Sequence, residues 1–62
     1  MTRTLQRHIL DRHARGLNNN QRWMLAEIAD DINAMTETND MTVAEVAAVL
    51  SMLVKILGEV GG

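Results

Sequence analysis

The chain contains no cysteine, no proline, no phenylalanine and no tyrosine, and it has a single tryptophan. Without cysteine it can form neither disulfides nor thiolate metal sites. One aromatic residue in 62 is too few for an aromatic-rich β-sheet or for a surface on which bases stack. The length limits the chain to one small domain, and a hydrophobic content of 47% is typical of a folding sequence.

Catalytic and cofactor-binding patterns are also missing from the sequence. The four glycines, at positions 16, 58, 61 and 62, form no phosphate-binding loop. His8 and His13 would lie about 140° apart on a helix, so they cannot share a metal ion. The adjacent carboxylates of Asp30 and Asp31 diverge on a helix and predict a solvated face. We therefore expect a protein that is not an enzyme, with no metal, no cofactor and no small-molecule substrate.

No hydrophobic run in the sequence is long enough to cross a membrane. The most apolar stretch, residues 43–57, is interrupted by polar and charged residues and falls short of the roughly 20 apolar residues that a bilayer requires. Residues 1–22 also lack the uninterrupted apolar core of a secretory signal. We expect a cytoplasmic protein that does not bind membranes.

Charge is divided unevenly along the chain. Residues 1–22 carry five arginines and one aspartate, a net charge of +4, whereas residues 23–62 carry one lysine and seven acids, a net charge of −6. This division allows two interpretations. The basic segment contacts an acidic partner, or it pairs with the acidic segment within a chain or across a dimer.

Hydrophobic periodicity predicts an all-α fold of three helices, at about residues 2–15, 20–35 and 42–58, in a single helical domain. Two polar breaks, residues 16–20 and 36–40, separate these helices. In the first break, Gly16 suits the position after a helix, and an asparagine suits the cap of the next helix. Thr42 and Glu45 fit a capping box at the start of the third helix.

The third helix is apolar over too much of its surface for so short a chain. Thirteen of the nineteen residues from 42 to 60 are apolar. The ten that are larger than alanine cover roughly 200° of the helix, where about 100° suffices for packing on one core. The other helices can cover one flank only, and monomers avoid a large exposed apolar patch. We therefore predict a homodimeric helical bundle. Its predicted interface contains Val46, Val49, Leu50, Leu53, Ile56, Leu57 and Val60.

Two surfaces are candidates for binding another macromolecule. Most of the arginines share the polar side of the first helix, and the lone tryptophan lies on the margin of the second, where it suits either a core or subunit contact or an anchor for a partner protein. The candidate binding residues are Arg3, Arg7, Arg12, Arg15, Arg22 and Trp23. The favoured hypothesis is a small regulatory or adaptor protein that self-associates through its third helix and binds a protein partner. A phage or mobile-element inhibitor of a host protein is one form of this hypothesis.

The alternative hypothesis is a dimeric nucleic-acid-binding regulator that uses the arginine face of the first helix. Residues 41–50 resemble the opening helix of many bacterial helix-turn-helix domains, which often begin with a similar Thr-x-x-Glu-x-Ala pattern. The resemblance implies DNA binding. It covers ten residues, and residues 51–57 continue the helix where those domains turn. The capping box and the apolar stripe account for the same residues without DNA.

Overall fold

The computed structural model describes residues 3–62. This part of the chain contains three α-helices and one 3₁₀ turn. Helix α1 spans Arg7–His13 and continues into the 3₁₀ turn Ala14–Gly16. Helix α2 spans Asn19–Glu37, and helix α3 spans Val43–Gly61. No strand occurs within these described residues, so the predicted all-α class with three helices is confirmed. The homodimeric bundle stays a prediction.

The first helix begins later than the sequence pattern predicts. Residue 2 lies outside the described part of the chain, and residues 3–6 are not helical. The cause is Asn33 of α2, which bonds to both backbone groups of Leu5. Its side-chain oxygen accepts the Leu5 N–H at 2.7 Å, and its amide donates to the Leu5 carbonyl at 3.2 Å. Because these groups are bonded to α2, they are not available to a helix through Leu5.

The side chain of an arginine forms hydrogen bonds with the turn that follows α1. Gly16 has no positive φ and ends the 3₁₀ turn, so it does not take the left-handed position that we expected after the first helix. Instead, the Arg22 guanidinium donates hydrogen bonds to the carbonyls of Ala14 and Arg15, each at 3.2 Å. The Ala14 carbonyl also accepts the Leu17 N–H at 3.0 Å. Carbonyls at the end of a helix lack partners in a following turn, and the bond from Arg22 supplies one to the Arg15 carbonyl.

Capping boxes start both long helices. At α2 the Asn18 side chain accepts the Gln21 N–H at 2.8 Å, and the Gln21 side chain accepts the Asn18 N–H at 2.9 Å. Thr42 and Glu45 make the equivalent bonds at α3, at 3.1 and 2.9 Å, as the sequence predicts. These contacts lower the pKa of the Glu45 carboxyl because hydrogen bonds to the carboxylate favour its charged form. The bond from the Thr42 backbone N–H has the larger effect, and the bond with the Thr42 side chain has the smaller one.

A Schellman motif ends α2 and turns the chain toward α3. The Asp40 N–H donates to the Met35 carbonyl at 3.0 Å, and the Asn39 N–H donates to the Thr36 carbonyl at 3.3 Å. Asn39 has a φ of 62°, the left-handed conformation that this motif requires. Asparagine adopts that conformation more readily than most residues other than glycine. The second polar break is therefore a tight turn between helices.

The core of the single chain is small. Its buried apolar residues are Ala14, Ala29 and Val46, and Asn33 is the one buried polar residue within residues 3–62. The radius of gyration is 12.8 Å, whereas a compact domain of this length has about 10.6 Å. The single chain is therefore more extended than a compact domain of its length, and it encloses little apolar surface.

Candidate functional site

Residues 3–5 are attached to α2 by a series of side-chain contacts. The Arg3 guanidinium lies 3.4 Å from the Asp30 carboxylate and 3.7 Å from the Glu37 carboxylate. The hydroxyl oxygens of Thr4 and Thr36 lie 2.7 Å apart, within hydrogen-bonding distance. The next residue is held through its backbone, as described above. This segment therefore forms a wall beside α2.

A groove of about 510 Å³ lies between this segment, α1 and α2, and we call it the α1–α2 groove. Its apolar lining consists of Leu5, Leu10, Ala14, Leu25, Ala26 and Ala29. Its charged lining consists of Arg3, Arg7, Arg15 and Arg22, with Asp11 and Asp30. Four arginines against two aspartates give the lining a net charge of +2, and no residue of α3 belongs to it. The volume lies within the range of about 300–1,000 Å³ that is usual for ligand sites.

The predicted binding arginines divide into two groups. Arg3 pairs with acids of α2, and Arg22 bonds to the carbonyls that end the 3₁₀ turn. Arg7, Arg12 and Arg15 are exposed, and none forms an ion pair with another described residue. Of these three, Arg12 does not line the groove. Ion pairs among residues 3–62 therefore account for only one of the predicted binding arginines, Arg3.

Trp23 stands apart from the groove. Its side chain is 68% exposed, and it is not part of the groove lining. At 100° per residue it lies on the same side of α2 as Glu27 and Asp30. The structure therefore does not gather the six predicted binding residues into one surface. Four arginines surround the groove, while Arg12 and Trp23 lie outside it.

Most of α3 has no covering neighbour within the chain. Near the α2–α3 turn, Val46 is buried and Leu50 is half-buried, whereas every residue from 51 to 62 is exposed. Leu53, Leu57 and Val60 continue the line of the helix surface that begins at Val46. The exposed large apolar residues of α3 are Val43, Val49, Met52, Leu53, Val54, Ile56, Leu57 and Val60. We call residues 51–61 the α3 arm.

The seven residues predicted for a dimer interface thus have different surroundings. The single chain buries Val46 in its own core and covers part of Leu50. The other five, from Val49 to Val60, are exposed. These five are available to a second molecule.

The sequence pattern did not single out Asn33, which is 1% exposed. A signal for its burial was present in the sequence, because Asn33 follows Leu25 and Ala29 at spacings of four and therefore lies on an apolar side of α2. A polar residue on such a side is expected to be buried only with hydrogen-bond partners. Conversely, Met24 and Met35, two large apolar residues of α2, are exposed.

Residues 3–62 lack two other kinds of feature. No group of three or more His, Asp or Glu side chains there is arranged to hold a metal ion. Nor does this part of the chain contain a helix with the length and hydropathy to span a bilayer. Comparisons with protein-family models, curated proteins and solved structures found no match. The features from which a function can be inferred are the groove, the α3 arm and Trp23.

Proposed function

We propose that the chain is a small, non-enzymatic regulatory or adaptor protein that acts as a homodimer and binds a protein partner. The observation that carries this proposal is the excess of exposed surface on the single chain. Its accessible surface is 5318 Å², whereas a compact monomer of 6.9 kDa exposes about 4,000 Å². The chain therefore exposes about 1,300 Å² more than a compact monomer of its mass.

A second copy of the chain would account for this excess. If each chain covered about 1,300 Å², the interface would total about 2,600 Å², which lies in the range of permanent homodimers. The exposed aliphatic side chains of α3 are of the kind that form the cores of such interfaces. Three buried apolar residues, two of them alanines, are a weak core for a chain without disulfides or metals.

Light scattering and sedimentation equilibrium over a concentration series would test self-association. We expect a mass twice that of the 6.9 kDa chain. We also expect a single cooperative unfolding transition whose midpoint rises with protein concentration, because dissociation and unfolding are linked. A mass of 6.9 kDa at micromolar concentration, with a cooperative thermal transition, would refute the proposal.

Trp23 is the favoured anchor for the protein partner. It is a large aromatic side chain that remains exposed in the single chain, and tryptophan is enriched at binding hot spots. It belongs neither to the α3 arm nor to the lining of the groove. Glu27 and Asp30 would supply a polar rim around it.

Partner capture from a cell lysate with wild type, Trp23→Ala and Met24→Ala tests this role. Met24 is the matched control because it is also an exposed apolar residue of α2 but lies about 100° away on the helix. We expect Trp23→Ala alone to lose a captured protein. Identical captures with all three proteins would remove Trp23 as the anchor.

Nucleic-acid binding is the second candidate function. It is favoured by Arg7, Arg12 and Arg15, which are exposed and unpaired with acids among residues 3–62. A two-fold dimer would present two such faces to phosphates. Retention of duplex DNA or RNA over a salt series is the test. Binding that weakens with salt and with Arg7→Ala/Arg12→Ala would support this candidate, and no retention at low salt would exclude it.

A further inference from the structure

We propose that, in the dimer, the α3 arm of each chain lies in the α1–α2 groove of the other chain. This inference rests on the proposed self-association and names the surface that receives α3. The α3 arm and the α1–α2 groove are complementary surfaces, but they do not contact each other within one chain. The arm carries an exposed apolar band, and the groove has an apolar lining to which no residue of α3 contributes.

The arm and the groove match in length. The α2 wall of the groove extends from Arg22 to Asn33, which is a rise of about 16 Å along the helix. The arm, from Ser51 to Gly61, rises about 15 Å. An arm in the groove would pack between two other elements as helices ordinarily do, with its side chains fitting between theirs.

The apolar surfaces also match. Leu5, Leu10 and Leu25 are only half-buried in the single chain, and all three line the groove. Three alanines also belong to the lining, and their small side chains allow a close approach of another helix. The arm presents Leu53 and Leu57 along one line of its surface. If the two arms packed against each other instead, each arm would be covered. The leucines that line the two grooves would then remain only half-buried.

The charges of the arm are compatible with the same occupant. The groove lining has a net charge of +2, and the arm has one glutamate and one lysine, a net charge of zero. Glu59 lies at the margin of the apolar band, about 60° from Ile56 on the helix, where it could approach Arg7 or Arg15 at the rim of the groove. Lys55 lies about 40° farther from the band and would stay in water.

Engineered cysteines test this arrangement in a chain that has none of its own. Full-length Ala26→Cys and Ile56→Cys proteins are mixed, oxidised and analysed by intact mass, which separates mixed from like-with-like products. Ala26 lies near the middle of the α2 wall, and Ile56 lies near the middle of the arm. A disulfide requires Cα atoms within about 7 Å, so we expect the mixed product to dominate only if the arm enters the groove.

Ala34→Cys is the matched control for Ala26→Cys. Ala34 is also an exposed alanine of α2, but it does not line the groove. We expect it to give little mixed product with Ile56→Cys. Dominant like-with-like Ile56→Cys product would overturn this inference and leave the proposed dimer intact. A wild-type mass of one chain would overturn the proposed dimer and the inference together.

Charge reversal provides an independent readout. We expect Arg7→Glu/Arg15→Glu to raise the dissociation constant of the dimer about tenfold, because the double change alters rim contacts twice in each dimer. The matched control is Arg12→Glu, on the same helix but outside the groove lining, for which we expect a change within about twofold. Adding Glu59→Arg to the double variant should recover part of the loss. Equal effects of the double variant and Arg12→Glu would overturn the placement of the arm.

Discussion

Leu53 offers the most direct test of α3 as an interface. In the single chain this residue is 47% exposed, so about half of its side chain is left for a partner to cover. A fully buried leucine contributes about 2 kcal/mol, so covering that half contributes about 1 kcal/mol in each chain. A two-fold interface contains the residue twice, and the loss on substitution is therefore about 2 kcal/mol per dimer.

Leu53→Asp adds the cost of burying a carboxylate to this loss. A polar group that is buried without a partner costs about 1–3 kcal/mol, and the dimer would contain two of them. The total is at least about 4 kcal/mol, which corresponds to an increase of about 10³-fold in the dissociation constant of the dimer. Because the single chain has little core of its own, we expect the dissociated Leu53→Asp chain also to lose helix.

Ser51→Asp is the matched control for this substitution. Ser51 is exposed on the same helix, and it lies about 160° from Leu53, so the same charge would remain in water. We expect the control to change the dissociation constant by no more than about threefold. Sedimentation equilibrium and far-ultraviolet circular dichroism over a dilution series give both quantities. A Leu53→Asp protein that is as helical and as dimeric as wild type would refute the reasoning.

Four further substitutions test the local structure. Glu45→Gln keeps a capping side chain but does not titrate, so its thermal midpoint should fall less on acidification. In wild type the capping contribution is complete above the ordinary carboxyl pKa and is lost as the pH falls through the lowered pKa of the folded state. Equal acid sensitivity of the two proteins would contradict this role. Asn39→Val should destabilise the chain by about 1–2 kcal/mol in urea titrations, since its φ of 62° is unfavourable for a branched side chain, whereas Asn39→Gly should not destabilise it. Asn33→Ala leaves both backbone groups of Leu5 without their partner and should cost about 1–3 kcal/mol. Its signature is faster hydrogen exchange at the Leu5 amide, and unchanged exchange would argue against the bond. Gly58→Ala should stabilise the chain by about 1 kcal/mol, because an added Cβ meets nothing within 4 Å. A loss of stability would mean that a partner approaches the helix closely at that residue.

The proposed arrangement assigns different tasks to different parts of the chain. The α3 arm and the groove would be occupied by self-association, including the groove arginines Arg7 and Arg15. Trp23 and Arg12 lie outside the groove lining and would remain available to a partner on the surface of the dimer. The two sets of substitutions therefore separate assembly from partner binding, because Trp23→Ala should leave the mass in solution unchanged.

The number and order of the helices, and the approximate extents of α2 and α3, can be predicted from the sequence because they depend on signals that act over a few residues. The 3.6-residue periodicity marks each helix, and the capping box of Thr42 and Glu45 marks the start of α3. The starts of α2 and α3 fall within one residue of the expected positions, and α3 extends three residues beyond its expected end. The width of the apolar band on α3 was also evident from the sequence, since it follows from helix geometry alone.

Contacts between distant segments of the chain determine where α1 begins, which arginines are engaged and where the groove lies. Asn33 and Leu5 are 28 residues apart in sequence, and Arg3 and Asp30 are 27 apart. Periodicity describes the faces of one helix and contains no information on which neighbouring segment will bond to a given face. A single polar side chain at the right place on α2 therefore overrode the helical pattern of residues 3–6, because its two hydrogen bonds occupy the backbone of Leu5.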